Sequence, residues 1–195
     1  MPSPSGPAEL LADLAAALVS LRLKWYVFGA QAALIWGRPR LTADVDVTVA
    51  LDSVGSGELV HTLAQHGFSL RLEASDAFVR QTRVLPLEHL STGLALDLVL
   101  AGPGLEEIFL SRAVPLDVAG VMVPFISPED LIVTKVLAGR AKDLEDVRGV
   151  LAERGDELRL DQILETLGMI EGALGQSDLR PLFEAELARW RTSRR

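Results

Sequence analysis

The chain opens with hydrophobic positions at helical spacing, followed by a short apolar run and a second helical segment. Recurring leucines predict an amphipathic helix over residues 8–22 that covers a sheet. Lys24–Phe28 is rich in aromatic residues, which predicts a short buried strand ending at Gly29, where backbone geometry is permissive. An alanine-rich helix is predicted from there to Trp36, and Gly37-Arg38-Pro39 breaks it.

Valine then alternates with polar residues in a pattern typical of a half-buried strand. Valine fills every second position from Val45 to Val49, and Asp44, Asp46 and Thr48 fill the others. Side chains two positions apart on a strand point to the same face. The alternation therefore predicts that both acids face away from the core.

The middle of the chain predicts more strands, and the last third predicts helices. A helix is predicted before Gly67, with strands at Phe68–Leu72, Val79–Leu87 and Leu94–Leu100, a short helix at Glu106–Leu110 and a hairpin at Val114–Phe125. Ser127 and Pro128 form an N-terminal capping signal for a helix that ends at Gly139. Further helices are predicted near 143–153, 160–174 and 178–192. This order indicates an α+β fold, with a sheet domain over residues 1–125 and a helical region over 126–195.

Composition and charge narrow the function classes. The chain has 195 residues, 49% of them hydrophobic, which is enough to bury a substantial core. Its net charge of −8 argues against broad, nonspecific binding to nucleic acid or anionic lipid. It contains no cysteine, no export signal is visible and no apolar stretch approaches the roughly 18 residues of a membrane span. We therefore expect a cytoplasmic protein without a membrane partner.

Three carboxylates stand out as candidates for chemistry. Asp44 and Asp46 can share one cation, and Mg²⁺ is commonly held by one or two carboxylates together with substrate phosphates. The alternative is that this pair lies on a solvated strand face. Asp97 interrupts the apolar run Leu94–Leu100, where an unpaired charge would be costly. It is either a metal ligand or base, or a structural acid paired with an arginine.

The turn at Gly29 adds a possible phosphate site. It leaves backbone N–H groups free at the start of the next helix, and these groups together with the helix dipole favour a phosphate. A plain tight turn is the alternative. Two divalent ions between three carboxylates could neutralise a triphosphate and activate an attacking hydroxyl. The combination predicts metal-dependent phosphate chemistry.

These residues resemble a known superfamily. Gly29-Ala30-x-Ala32, followed by Gly37-Arg38-Pro39-Arg40-x-Thr42-x-Asp44-x-Asp46, resembles the signature of the nucleotidyltransferases of the DNA polymerase β superfamily, and Asp97 stands on the expected later strand. Ser127–Val147 resembles the Lys-x4-Arg and Lys-Asp-x-x-Asp segments of the AbiEii-type branch, which includes abortive-infection toxins.

The resemblance implies a mixed sheet flanked by helices, with the helical C-terminal part completing a nucleotide cleft. It implies that Asp44, Asp46 and Asp97 are the catalytic residues and that they bind the metal cofactor, Mg²⁺ or Mn²⁺. The implied nucleotide-binding residues are Gly29, Ala30, Arg40, Thr42, Lys135, Arg140 and Asp143. The alternative for Lys135 and Arg140 is that they are solvated charges on a helix face.

The implied activity is transfer of a nucleoside monophosphate from an NTP to a hydroxyl, with release of pyrophosphate. The acceptor could be an RNA end such as that of tRNA, a protein side chain or a small molecule. A toxin of a toxin–antitoxin pair, with an antitoxin as partner, belongs to the same interpretation. Ala30 stands where many active members have Ser or a second Gly. That departure motivates the alternative of a catalytically silent nucleotide-binding or protein-interaction module.

Overall fold

The computed structural model describes residues 6–38, 44–71, 79 and 81–194. The described strands are β1 (Trp25–Phe28), β2 (Asp44–Val49), β3 (Phe68–Leu70), β4 (Val84–His89), β5 (Leu94–Leu100), β6 (Val114–Val118) and β7 (Val121–Phe125). The described helices are α1 (Gly6–Ser20), α2 (Gly29–Trp36), α3 (Ser56–Gln65), α4 (Leu105–Arg112), α5 (Pro128–Ala138), α6 (Ala141–Arg154), α7 (Leu160–Leu174) and α8 (Leu179–Ser193). The mixed α/β fold expected from the sequence is confirmed.

The seven strands form one mixed sheet in the order β3-β4-β5-β2-β1-β7-β6. The pairs β2–β5 and β1–β7 are parallel, and the other neighbouring strands are antiparallel. Val45, Val47 and Val49 are buried, while Asp44 is exposed and Asp46 is half-buried. The predicted outward orientation of both acids is therefore confirmed.

The chain divides into two compact units. One comprises Met1–Gln31 and Leu41–Ile126, and the other comprises Ala32–Arg40 and Ser127–Arg195. The first contains the sheet, whose apolar face is covered by α1 through buried leucines. In the second, α5 packs against α6, α7 and α8 around a buried aliphatic and aromatic core. The sequence did not indicate that α2 would pass from one unit to the other after Gln31.

The capping signals of α5 act as the sequence predicts. The Ser127 hydroxyl accepts a hydrogen bond from the backbone N–H of Asp130 at 3.1 Å, and Pro128 occupies the first turn. The helix ends at Gly139, whose φ of 63° is in the left-handed region. Local chemistry therefore fixes both ends of this helix.

One strand prediction is wrong in its first half. Val79, Gln81 and Thr82 are helical, and the strand expected over Val79–Leu87 runs instead from Val84 to His89. Arg83 separates the two elements with a φ of 58°, and its N–H donates to the carbonyl of Val79 at 2.8 Å. A left-handed residue that ends a helical turn is usually glycine, so the sequence carried no signal for this break.

Among the helices of the described residues, none combines the length and the hydropathy that a bilayer span requires.

Candidate active site

The candidate site is centred on the junction of β1 and α2. β1 ends at Phe28, which lies opposite Asp46 in the antiparallel β1–β2 register. Gly29 follows as the first residue of α2 with a φ of 64°. A Cβ atom placed on Gly29 would lie 2.0 Å from Oδ2 of Asp46. Glycine is therefore required here so that the Asp46 carboxylate can approach the N-terminus of α2. A plain tight turn would not bring a carboxylate this close.

A second carboxylate lies beside Asp46. Asp46 and Asp97 are Cα partners in the parallel β2–β5 pair, so their side chains leave the same face of the sheet. Both residues are half-buried. Asp44 pairs with Ala95 two positions earlier and is exposed. The structure therefore brings all three predicted acids to one sheet face, with Asp46 and Asp97 directly side by side.

Asp97 is paired with an arginine, as one of the two sequence interpretations proposed. Nη2 of Arg71 contacts Oδ1 of Asp97, and the two side chains are 34% and 40% exposed. The backbone N–H of Arg71 donates to the carbonyl of Pro86 at 3.0 Å, and Pro86 is the register partner of Asp97. No local pattern predicts this pairing, because Arg71 follows the end of β3 and lies 26 positions before Asp97.

The donor chemistry at this face fits a divalent cation. Carboxylate oxygens are the ligands that Mg²⁺ prefers, and Asp46 and Asp97 present theirs from adjacent positions. Within residues 6–38, 44–71, 79 and 81–194, however, no three His, Cys, Asp or Glu side chains are grouped closely enough to hold a metal ion. Any ion at this face would therefore be held by fewer protein ligands than three, or after side-chain movement.

The two candidate nucleotide-binding cations of the second unit, Lys135 and Arg140, belong to one ion-pair cluster. Nζ of Lys135 on α5 lies 3.1 Å from Oδ1 of Asp143 and 2.7 Å from Oδ2 of Asp146, both on α6. Lys135 and both acids are buried. Nε of Arg140 donates to Oδ2 of Asp143 at 2.5 Å, while 63% of the Arg140 side chain is exposed. Lys135 is thus an internal charge, and Arg140 is the cation of this cluster that solvent reaches.

The cluster sets the ionisation of Asp143. Burial by itself raises the pKa of the Asp143 carboxyl. The hydrogen bonds and positive charges of Arg140 and Lys135 together lower that pKa by more, so it lies below its usual value. Asp143 is therefore ionised at neutral pH. A buried carboxylate with two cationic partners links the first turn of α6 to α5.

Three predicted site residues remain: Ala30, Arg40 and Thr42. Ala30 is buried in the first turn of α2. It offers a backbone N–H and no hydroxyl. Arg40 and Thr42 lie outside the described residues.

A protein-family comparison connects this geometry to an enzyme class. Residues 10–169 match the family described as "Nucleotidyltransferase of unknown function (DUF6036)". The match includes the Gly29 turn, the three acids and the Lys135 cluster. The chain belongs to this family. A search of curated proteins gives no match.

Solved structures share the fold of this DUF6036 protein. An antigenic nucleotidyltransferase-like protein from Paracoccidioides brasiliensis is 19% identical with a TM-score of 0.55, over 91% of this chain and 92% of that one. ANT(2")-Ia in complex with adenylyl-2"-tobramycin is 17% identical with a TM-score of 0.50, over 95% of this chain and 99% of that one. At these identities the similarity supports the nucleotidyltransferase fold. The AbiEii-type branch stays a prediction.

Proposed function

We propose that this protein transfers a nucleoside monophosphate from an NTP to a hydroxyl acceptor. The observation that carries the proposal is the placement of Asp46 between the Gly29 helix start and Asp97. That arrangement puts a phosphate-binding helix N-terminus next to two carboxylates on one sheet face. Membership of a nucleotidyltransferase family supports the same reaction.

Each group at the face has a role in this reaction. The amides of the first turn of α2 bind phosphate oxygens. Asp46 and Asp97, joined by Asp44 after side-chain movement, would hold Mg²⁺ or Mn²⁺, which when bound supplies positive charge to the triphosphate. Asp97 accepts the proton of the acceptor hydroxyl while the hydroxyl oxygen forms a bond to the α-phosphorus of the NTP. The bond from that phosphorus to the bridging oxygen breaks, and pyrophosphate leaves.

The resemblance also assigns nucleotide contacts outside this face. We propose Arg40, Thr42 and Arg140 as groups that contact the nucleotide, because a guanidinium suits phosphate oxygens. Lys135 and Asp143 act on the nucleotide through Arg140, since Asp143 holds that guanidinium and Lys135 holds Asp143.

We propose a small molecule as the acceptor, in preference to an RNA end or a protein side chain. The solved ANT(2")-Ia complex holds adenylyl-2"-tobramycin, which shows that this fold accommodates a nucleotidylated small molecule. A net charge of −8 disfavours a large RNA footprint. An AbiEii-type toxin with an RNA or protein acceptor and an antitoxin partner, acting in the cytoplasm, is the competing prediction.

A second candidate is a nucleotide-binding module without transfer activity. Two observations favour it: Ala30 offers no hydroxyl to a phosphate, and Arg71 pairs with Asp97. This candidate differs from the first in one measurable respect, which is that it binds NTP but releases no pyrophosphate.

The test is incubation of the purified protein with each α-labelled NTP and Mg²⁺, together with aminoglycosides, total RNA or protein. Asp46→Asn and Asp97→Asn should each abolish the label. Asp52→Asn is the matched control, because Asp52 is an exposed acid beyond the other end of β2 with a φ of 46°, which asparagine tolerates. The labelled fraction names the acceptor class, and label that survives Asp46→Asn would exclude this site.

A further inference from the structure

Asp46 and Asp97 form an electrostatically unfavourable pair on their own. They are register partners on adjacent strands, which lie about 4.8 Å apart in any sheet. Like charges directly opposite one another on a sheet destabilise it. A positive charge beside either carboxylate therefore stabilises this arrangement.

Arg71 supplies that charge from within the chain. Its guanidinium contacts Oδ1 of Asp97, and its backbone is anchored to Pro86 on the strand next to Asp97. The anchored backbone keeps the guanidinium close to the acids. A single nitrogen, Nη2, contacts a single carboxylate oxygen. The side chains of Arg71 and Asp97 are 34% and 40% exposed, so water reaches both. Such a pair is weak enough for another cation to displace it.

We propose that Arg71 is a built-in counter-ion that competes with a divalent cation for Asp97. The inference rests on the proposed function, which places that cation at Asp46 and Asp97. Oδ1 of Asp97 cannot bind the guanidinium and a metal ion in the same position at the same time. Arg71 therefore lowers the affinity of the face for a free cation, and it offsets the charge of Asp97 until the cation arrives.

The test measures Mn²⁺ binding to the whole protein by titration calorimetry or electron paramagnetic resonance, without nucleotide or catalysis. Arg71→Ala and Arg71→Gln should each bind Mn²⁺ about two- to fivefold more tightly than wild type, the range expected for loss of one exposed ion pair. Lys24→Ala is the matched control. It removes one exposed positive charge from the same unit, just before β1, and should leave Mn²⁺ affinity unchanged.

Thermal unfolding supplies a second readout. Without a divalent cation, Arg71→Ala should unfold at a lower temperature than wild type, because Asp97 then loses the guanidinium beside it while its like-charged neighbour Asp46 stays in place. At saturating Mn²⁺ the difference should shrink. A side chain that only packs against the sheet would lower the unfolding temperature equally in both conditions.

The outcomes separate the two proposals. Equal or weaker Mn²⁺ binding by both Arg71 variants, with binding still lost in Asp97→Asn, overturns the counter-ion role and leaves the site intact. Unchanged binding in Asp46→Asn and Asp97→Asn shows that the cation lies elsewhere and overturns the metal site of the proposed function. Absence of Mn²⁺ binding in wild type and in both Arg71 variants overturns both.

Discussion

Gly29 and Asp46 are fitted to each other, because a Cβ atom on Gly29 would lie 2.0 Å from Oδ2 of Asp46. The carboxylate occupies the space that a side chain at Gly29 would need. Glycine at this position therefore allows β1 to turn directly into α2 and places an acid of β2 at the helix start. This contact joins the two features from which the sequence predicts phosphate chemistry.

Gly29→Ala should therefore displace the Asp46 carboxylate and reduce nucleotidyl transfer by about 100-fold, the size of effect expected when a catalytic group is misplaced by about 1 Å. It should also cost stability, because alanine is strained at a positive φ. Gly93→Ala is the matched control. Gly93 has a φ of 67° in the same unit, but nothing lies within 4 Å of an added Cβ atom. It should share the loss of stability, measured by urea unfolding, and keep full activity; equal activity losses would contradict the role of the contact.

Ala30→Ser should supply the hydroxyl that many active members of the superfamily place after the glycine. One added hydrogen bond to a phosphate should lower the KM for NTP by about two- to tenfold. Ala30→Gly adds no hydroxyl and serves as the control in the same steady-state assay. An unchanged KM in Ala30→Ser would argue against phosphate binding at the start of α2.

Lys135→Ala should destabilise the helical unit by about 3–5 kcal/mol, because it leaves Asp143 and Asp146 buried without their shared cation. Lys142→Ala is the control, since Lys142 is exposed on the same stretch of α6. Denaturant unfolding of both variants gives the comparison. A loss for Lys135→Ala no larger than that for Lys142→Ala would mean that Lys135 is a solvated charge, the alternative raised by the sequence.

Acid should destabilise the helical unit through carboxylates that the fold keeps ionised. Hydrogen bonds from Arg148 lower the pKa of the buried Glu186, against an opposing effect of burial, and the pKa of Asp143 is also lowered. Groups whose pKa is lowered by folding stabilise the native state above their unfolded pKa values. That contribution is lost as pH falls below about 4 towards the folded values.

Glu186→Gln tests this pH dependence. The substitution removes a carboxylate that accepts hydrogen bonds from Arg148 at 2.7 and 2.8 Å. The unfolding temperature of the variant should therefore fall less steeply with decreasing pH than that of wild type. Glu184→Gln changes an exposed neighbour on α8 and should retain the wild-type slope. Identical acid slopes in wild type and Glu186→Gln would contradict the assignment.

Local signals made much of the fold predictable. Both ends of α5 were predictable because the residues that define them act locally. These are the Ser127 hydroxyl, the Pro128 ring and the left-handed Gly139. The alternation around Asp46 likewise predicts which face that acid takes. The break at Arg83 was missed because a non-glycine residue adopts a positive φ there.

Long-range pairing decides what the sequence could not show. The strands that carry Asp46 and Asp97 are recognisable separately, but their register as side-by-side partners depends on β2 and β5 being adjacent and parallel. The contact of Arg71 with Asp97 depends on the same sheet order. The burial of Lys135 depends on how α6 packs against α5, which no periodicity within α5 encodes.

Pyrophosphate release from each NTP in the presence of Mg²⁺ tests the central claim most directly, because it requires no knowledge of the acceptor beyond a supplied mixture of hydroxyl compounds. The proposed site predicts release by wild type and by Asp52→Asn, and a loss of about 100-fold or more in Asp46→Asn. Equal release by wild type and Asp46→Asn would contradict catalysis at this carboxylate. Binding of NTP with no release by wild type would contradict transfer itself and establish the silent nucleotide-binding module.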